Sequence, residues 1–358
     1  MQSHIEWSTV WSVPLPELGS APAGIHIFDE HSNLAIQAAL AARRPLLVRG
    51  EPGTGKSQLA RAAAAHLKCP LVSCTVDGQT ESRELLWSVD SVARLAAAQL
   101  AAVVATRRSG VGDADSAARP DPSARTAIGS LDDLGDLGDL GDLGDLGDLD
   151  ERRYLRPGPL WWAFDWQSAT DIAQKARVQV PTPPMPAGWD ASQRVVVLID
   201  EIDKADSSVP NGLLEALGSG HFSAPAMPDR ITMKGQVPLV IVSTNEERAL
   251  PDAFLRRCLV LRLELPEAAV ELADFLITRG EAHFPACERE VLRAAAEAIA
   301  AGRADARKER QSPPGQAEYL DLLRAVCANC TGSRGRVELL GRVKGFFVDK
   351  HKRSEGGV

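Results

Sequence analysis

The sequence predicts a three-layer α/β protein with a parallel sheet, followed by a small all-α domain. Short runs that are apolar at every position, typical of strands buried on both faces, alternate with helix-period segments as far as residue 265. Residues 267–350 show helical periodicity alone, with breaks near Gly280, the prolines at 313–314 and Gly332. We therefore expect a lead-in at 1–24, an α/β domain at 25–266, a helical domain at 267–350 and a tail at 351–358.

The α/β elements can be placed in order along the chain. Helices are predicted at 25–44, 56–67, 80–100 and 211–217. Buried strands are predicted at 45–49, 195–199 and 239–242, a further strand at 70–76, and a hairpin-like excursion at 222–237. Residues 259–265 alternate leucine with other residues, including Arg262 and Glu264, which indicates a strand at the edge of the sheet.

Residues 105–153 interrupt this pattern. Small and polar residues lead into five Gly-Asp-Leu repeats at 135–149, and a period of three fits neither a helix nor a strand. The repeats lack the proline of collagen and the ligand spacing of an EF-hand. We expect a disordered acidic insert within the α/β domain.

Composition excludes several classes of protein. Apolar residues make up 44% and charged residues 25%, as in an ordinary soluble globular protein, and no apolar run is long enough for a membrane helix. The N-terminus lacks a signal-peptide pattern, so a cytoplasmic location is expected. Much of the net charge of −8 comes from the insert. The charge of the rest of the chain does not predict binding to nucleic acid or to a membrane surface. The Cys327-Ala-Asn-Cys330 pair lacks the further ligands that a zinc site needs.

One stretch organises the chain chemically. It fits the phosphate-binding loop G-x-x-x-x-G-K-[ST] and lies between a predicted strand and a predicted helix, as that motif requires. The loop glycines let successive backbone N–H groups face an anion, and the helix start adds its positive dipole end. Lys56 is expected to reach the outer phosphates and Ser57 to bind Mg²⁺. The expected cofactor-binding residues are Gly50, Glu51, Pro52, Gly53, Thr54, Gly55, Lys56 and Ser57.

Acidic and amide side chains follow the next two buried strands of the α/β pattern. Asp200 is expected to hold Mg²⁺, and Glu201 to orient and deprotonate the attacking water. Asn245, which closes the strand at 239–242, is expected to place the same water opposite the γ-phosphate. An asparagine after a strand is often only a turn residue, so this role depends on its order in the chain.

This order of motifs resembles the AAA+ ATPases, in which a helical lid follows the α/β domain. The resemblance implies ATP as the nucleotide, a ring, often a hexamer, and an arginine finger that enters the neighbouring subunit's site. Arg257 occupies the finger position and Arg256 is the alternative; a surface salt bridge is the structural alternative for the pair. A cation facing the γ-phosphate stabilises the charge that develops in transfer.

Three further stretches are similar to the MoxR branch, which includes dynein-related AAA modules. They are Arg-Pro-Gly-Pro-Leu at 156–160, Leu-Leu-Glu-Ala-Leu at 213–217 and Leu-Pro-Asp-Ala-Phe at 250–254. In the lid, Arg334 stands where that branch has its second sensor arginine, without the usual preceding proline, and Arg336 is the alternative. The resemblance implies a chaperone-like remodeller of a partner protein, often one with a von Willebrand A domain.

Two other functions compete with an ATP-driven remodeller. A nucleic-acid motor or restriction-type NTPase is disfavoured because no basic stretch interleaved with aromatic residues is present. A slow nucleotide-gated switch is disfavoured by Glu201 and Arg257. The preference for ATP over GTP and the ring size are implied by the family resemblance.

Overall fold

The computed structural model describes residues 11–17, 22–99 and 150–348. The predicted insert lies outside these residues except for 150–153, and the predicted tail lies outside them entirely. Strands are β1 Trp11–Leu15, β2 Gly24–Phe28, β3 Leu46–Arg49, β4 Leu71–Thr75, β5 Trp87–Val89, β6 Leu155–Pro157, β7 Val196–Asp200, β8 His221–Phe222, β9 Ile231–Thr232, β10 Leu239–Thr244 and β11 Leu259–Arg262. Helices are α1 Glu30–Ala42, α2 Lys56–Leu67, α3 at 91–99, α4 Pro159–Phe164, α5 Trp166–Lys175, α6 Ser208–Ser219, α7 Asp252–Leu255, α8 Ala269–His283, α9 Arg289–Lys308, α10 Gln316–Asn329 and α11 Ser333–Val348.

The central sheet has five parallel strands in the order β11-β3-β10-β7-β4. Its alternate residues point to opposite faces, and each face is covered by a separate apolar cluster. Leu46 and Val48 pack with α1, α2 and β1, whereas Leu47 packs with α4 to α7 on the other face. The three-layer α/β fold is thus confirmed, and β11 lies at the sheet edge as its alternation predicts.

Helices α8 to α11 form a C-terminal helical region with an apolar core of its own, which we call the lid after the predicted domain. Leu276, Leu292, Leu323 and Tyr319 are buried together at its centre. Gly280 lies inside α8, so the predicted helix break there is wrong. A Cβ at Gly280 would lie 2.4 Å from the Tyr319 hydroxyl oxygen. This glycine therefore makes room for an aromatic ring of α10 and does not end the helix.

Two helix predictions in the α/β domain are right only for their second part. Residues 25–44 hold the strand β2, then α1, which Asp29 caps by accepting a hydrogen bond from the Ser32 N–H at 2.6 Å. Residues 80–100 hold a 3₁₀ turn, Ser82–Leu85, then β5 and α3. Strand β5 pairs antiparallel with β6, whose residues lie about 70 positions further along the chain, and this partner is not visible in local periodicity.

Within the described residues, no helix combines the length and the apolar character needed to cross a membrane.

Candidate active site

The phosphate-binding loop connects β3 to α2, as its sequence context predicts. Gly53 and Gly55 adopt positive φ angles of 78° and 95°, a region that favours glycine. Gly55 is the N-cap of α2 and places the helix N-terminus at the loop. The Thr54 hydroxyl donates to the Glu51 carbonyl at 2.9 Å and closes the turn. A glycine-rich turn that ends at a helix N-terminus is the arrangement that suits anion binding.

Lys56 curls over the same loop. Its Nζ donates to the carbonyl oxygens of Gly50 and Glu51, both at 2.8 Å, and the residue is only 7% exposed. Burial lowers the pKa of Lys56, and the nearby carboxylates, Asp200 first among them, partly offset that shift. The ammonium group is therefore held at the loop, within reach of any phosphate that the loop binds.

The loop and the acidic strand end are in direct contact. Ser57 Oγ donates to Asp200 Oδ2 at 2.7 Å. The other carboxylate oxygen of Asp200 accepts a hydrogen bond from Ser243 Oγ. A hydroxyl next to a carboxylate is the kind of hard oxygen donor set that suits Mg²⁺. Ser57 and Asp200 thus fit the magnesium site expected from the sequence.

Glu201 directly follows β7 in a left-handed backbone conformation, with φ 62° and ψ 44°. Its backbone N–H donates to Ser243 Oγ at 3.0 Å, and its carboxylate pairs with Lys204 Nζ at 2.7 Å. The same hydrogen bond raises the pKa of Lys204. Ser243, fully buried in β10, thus contacts both Asp200 and Glu201 and fixes the geometry of the pair. A serine inside a buried strand carries no local pattern that predicts this role.

Asn245 follows β10, the strand between β3 and β7, so it lies at the same sheet edge as the loop and the acidic pair. Its backbone N–H points to Asp203 Oδ1 at 3.4 Å, and its side chain is half-buried. The structure therefore brings together four of the predicted groups: Lys56, Ser57, the Asp200-Glu201 pair and Asn245.

The predicted finger lies elsewhere on the surface. Arg256 and Arg257 follow α7, and both are exposed. Their carbonyl oxygens accept hydrogen bonds from the Arg44 guanidinium, which reaches across from the end of α1. In the part of the chain that the structure describes, neither side chain is hydrogen-bonded or ion-paired to the loop. An exposed position suits a group that acts on another subunit.

The structure does not bring Arg334 to the loop. The first turn of α11 contacts the N-terminal end of α9, where Ser333 Oγ donates to Glu290 and Arg336 pairs with Glu288 at 2.8 Å. The loop instead meets the opposite end of α9, about 20 Å further along a helix with a 1.5 Å rise per residue. Arg336, the alternative, is equally far from it.

Another lid arginine, Arg303 on α9, contacts the phosphate-binding loop. Its Nη2 lies 2.7 Å from Glu51 Oε2, and its Nη1 donates to the Pro314 carbonyl at 2.9 Å. Nearby, the Ala317 N–H donates to the Gly53 carbonyl at 3.2 Å. Local sequence patterns do not predict this contact, because Arg303 and Glu51 lie 252 positions apart in the chain.

A polar cavity of about 170 Å³ opens beside the loop, between the β2–α1 junction, the end of β11 and α8. Polar side chains line it, and those of His26, Arg279 and His283 are half-buried. Burial lowers the pKa of His26 to about 4 and that of Arg279 to about 10, while Asp29 partly offsets the shift at Arg279. The polar lining includes His26, Asp29, Thr54, Arg279, His283 and Gln316.

The strand order and the loop at the end of β3 define the fold of a P-loop NTPase. Residues 45–135 match the family model of the AAA domain (dynein-related subfamily), which supports an AAA+ ATPase assignment. Among solved structures, a RuvB mutant from Thermotoga maritima is similar with 12% identity and a TM-score of 0.36, over 83% of this chain and 68% of that one. A comparison with curated proteins found no match.

Proposed function

We propose that this chain binds ATP with Mg²⁺ at the P-loop and hydrolyses it, working in a ring that remodels a partner protein. The observation that carries the catalytic part is the 2.7 Å hydrogen bond between Ser57 and Asp200. It joins the phosphate-binding loop to the acidic strand end, so one bound triphosphate can contact both. The family match at residues 45–135 supports the same assignment.

Each predicted site residue has a separate role in the proposed reaction. The loop amides and Lys56 bind the phosphates, and Ser57 with Asp200 holds the ion. When bound, Mg²⁺ neutralises charge on the phosphate oxygens. Glu201 accepts the proton of the attacking water, whose oxygen forms a bond to the γ-phosphorus as the bond to ADP breaks. Asn245 orients that water.

The polar cavity beside Thr54 is our candidate for the nucleotide base and ribose. It adjoins the loop, and it supplies both hydrogen-bond donors and acceptors, which a heterocyclic base with polar edges requires. The assignment of residues 25–266 to the nucleotide-binding domain and 267–350 to the lid belongs to the same proposal, since the cavity lies between them.

The finer parts of the proposal come from resemblance. Three short stretches similar to the MoxR branch support a chaperone-like role toward a von Willebrand A domain protein, and the exposed Arg257 supports a ring. Sedimentation of the chain with Mg²⁺ and a non-hydrolysable ATP analogue tests the ring. A chain that stays monomeric under these conditions would remove both the ring and the finger from the proposal.

A pair of variants tests the catalytic part. Glu201→Gln should bind ATP with unchanged affinity and lose hydrolysis, because the amide cannot accept the proton of water. Lys56→Ala should lose binding itself. The matched control is Glu271→Gln on the exposed first turn of α8, which should keep wild-type turnover. Wild-type turnover in Glu201→Gln would overturn the assignment of the base.

A further inference from the structure

Asp203 is a buried carboxylate that the proposed reaction does not use. It lies in the 3₁₀ turn Ile202–Lys204, two residues after Glu201, and is only 2% exposed. Burying a carboxylate is costly unless hydrogen bonds or charges compensate it. The contacts of Asp203 beside the acidic strand end must therefore compensate for the burial of its carboxylate.

Both oxygens of this carboxylate face the loop that follows β10. Oδ2 accepts a hydrogen bond from the Glu247 N–H at 2.9 Å, and Oδ1 lies 3.4 Å from the Asn245 nitrogen. The intervening Glu246 adopts a left-handed conformation, with φ 60°, and its N–H turns to Thr244 Oγ1 at 2.9 Å. Two alternate amides of this loop thus converge on one side chain.

The backbone shape of the loop depends on that acceptor. A single residue with positive φ turns the chain so that the N–H groups before and after it point inward, toward the end of β7. An amide side chain in place of Asp203 would offer one acceptor and a competing N–H donor, so one loop amide would lose its partner. Asp203 also lies close enough to Lys56 that its charge raises the pKa of that lysine.

We propose that Asp203 is a positioning residue that acts through Asn245, by fixing the backbone from which the asparagine side chain extends. The inference rests on the proposed function, because it deepens the role given there to Asn245. The hydrogen bonds of the Asp203 carboxylate go to the Asn245 and Glu247 amides, so its proposed effect on the water is indirect. It sets the distance between the end of β10 and the Asp200-Glu201 pair, and so the place where the water is held.

The kinetic test uses non-additivity in the full chain. Asp203→Asn should lower kcat by up to about 100-fold, as a displacement near 1 Å does, while KM for ATP and the nucleotide Kd stay within experimental error. If Asp203 acts through Asn245, adding Asp203→Asn to Asn245→Ala should lower kcat no further. Multiplicative losses in the double variant would overturn the proposal.

A second measurement does not depend on activity. Hydrogen exchange at the amides of residues 245 and 247 should be faster in Asp203→Asn than in the wild type, with exchange in β4 unchanged. Unchanged exchange at both amides would overturn the proposal even if the chain hydrolyses no ATP. Asp203→Glu is the variant to use if Asp203→Asn does not fold: it keeps the charge, moves the acceptors and should also lower kcat.

The matched control is Asp190→Asn. Asp190 likewise accepts hydrogen bonds from its own loop, from Ser192 N–H at 2.8 Å and Gln193 Nε2 at 2.8 Å, but it is exposed. We expect its kcat to match that of the wild type. If Asn245→Ala alone keeps wild-type kcat, the proposed function of Asn245 fails, and only the exchange measurement then decides the role of Asp203.

Discussion

Arg303 of the lid and Glu51 of the P-loop form a direct ion pair, with Nη2 2.7 Å from Oε2. The arginine side chain is only 5% exposed, whereas the glutamate is 42% exposed. A charge-assisted hydrogen bond with one buried partner is stronger than an ordinary surface pair. The ion pair therefore joins the lid directly to the P-loop.

We expect Glu51→Gln to lower the free energy of unfolding by about 1–3 kcal/mol, because the buried guanidinium loses its charged acceptor. Urea denaturation measures this change. Glu281→Gln is the control, since Glu281 pairs with Arg289 at 3.5 Å with both side chains exposed, and should cost less than about 1 kcal/mol. Equal losses in the two variants would show that the Arg303 contact adds nothing.

The exposed arginine pair gives a second prediction. If Arg257 is the finger of the proposed ring, Arg257→Ala should keep ATP binding but lower turnover by about 10³, because the cation that would face the neighbour's γ-phosphate is gone. Turnover of the wild type should rise with protein concentration, and that dependence should disappear in the variant.

Arg256→Ala is the matched comparison, since it removes the same charge one residue away. Mixing Arg257→Ala with Glu201→Gln should restore part of the activity, because a site formed by an Arg257→Ala subunit beside a Glu201→Gln neighbour contains an intact copy of each residue. If the mixture stays inactive, or if Arg256→Ala is the more damaging change, our choice of finger is wrong.

The acid stability of the chain should depend on His26. Burial, with Arg279 and His283 nearby and Asp29 opposing them, lowers the pKa of His26 from 6.5 to about 4. Below pH 6.5 the unfolded chain takes up a proton that the folded chain does not, so stability falls between pH 6.5 and 4 and is fully present above pH 7. The free energy of unfolding that is lost through this one histidine is at most about 3 kcal/mol.

His26→Gln should therefore flatten the dependence of the free energy of unfolding on pH over that window. His31→Gln, at an exposed position in the first turn of α1, should leave the slope as it is. Thermal unfolding in a series of buffers from pH 4 to pH 8 provides the comparison. A slope that His26→Gln does not change would place the acid sensitivity on other groups.

Gly158 lies so close to the backbone of residues 84 and 86 that no side chain fits there. Its φ of −79° suits any residue, but a Cβ there would lie 2.4 Å from the Glu84 carbonyl oxygen and 2.7 Å from the Leu86 carbonyl carbon. Because both are backbone atoms, Gly158→Ala should cost about 1–3 kcal/mol, measured by urea denaturation. Gly218→Ala in α6, where a Cβ would meet nothing within 4 Å, should instead stabilise the chain by up to about 1 kcal/mol.

Local patterns predicted the sheet well because a strand buried on both faces is apolar throughout, whatever its neighbours. The predictions failed where a distant partner decides the structure. Strand β5 depends on its pairing with β6, and Gly280 leaves space for the ring of Tyr319 on another helix. The phosphate-binding loop and the acidic pair were likewise recognisable because each is a short contiguous motif. The Arg303 contact and the placement of Arg334 depend on how four lid helices pack, which no single segment encodes.

Glu201 occupies a backbone region that glycine and asparagine enter more easily than glutamate does. Replacement by glycine would relax the main chain here and at the same time delete the carboxylate. At this position, stability of the fold favours glycine, whereas the proposed ATP turnover requires glutamate. A library screened only for heat resistance should drift toward inactive chains at residue 201 first.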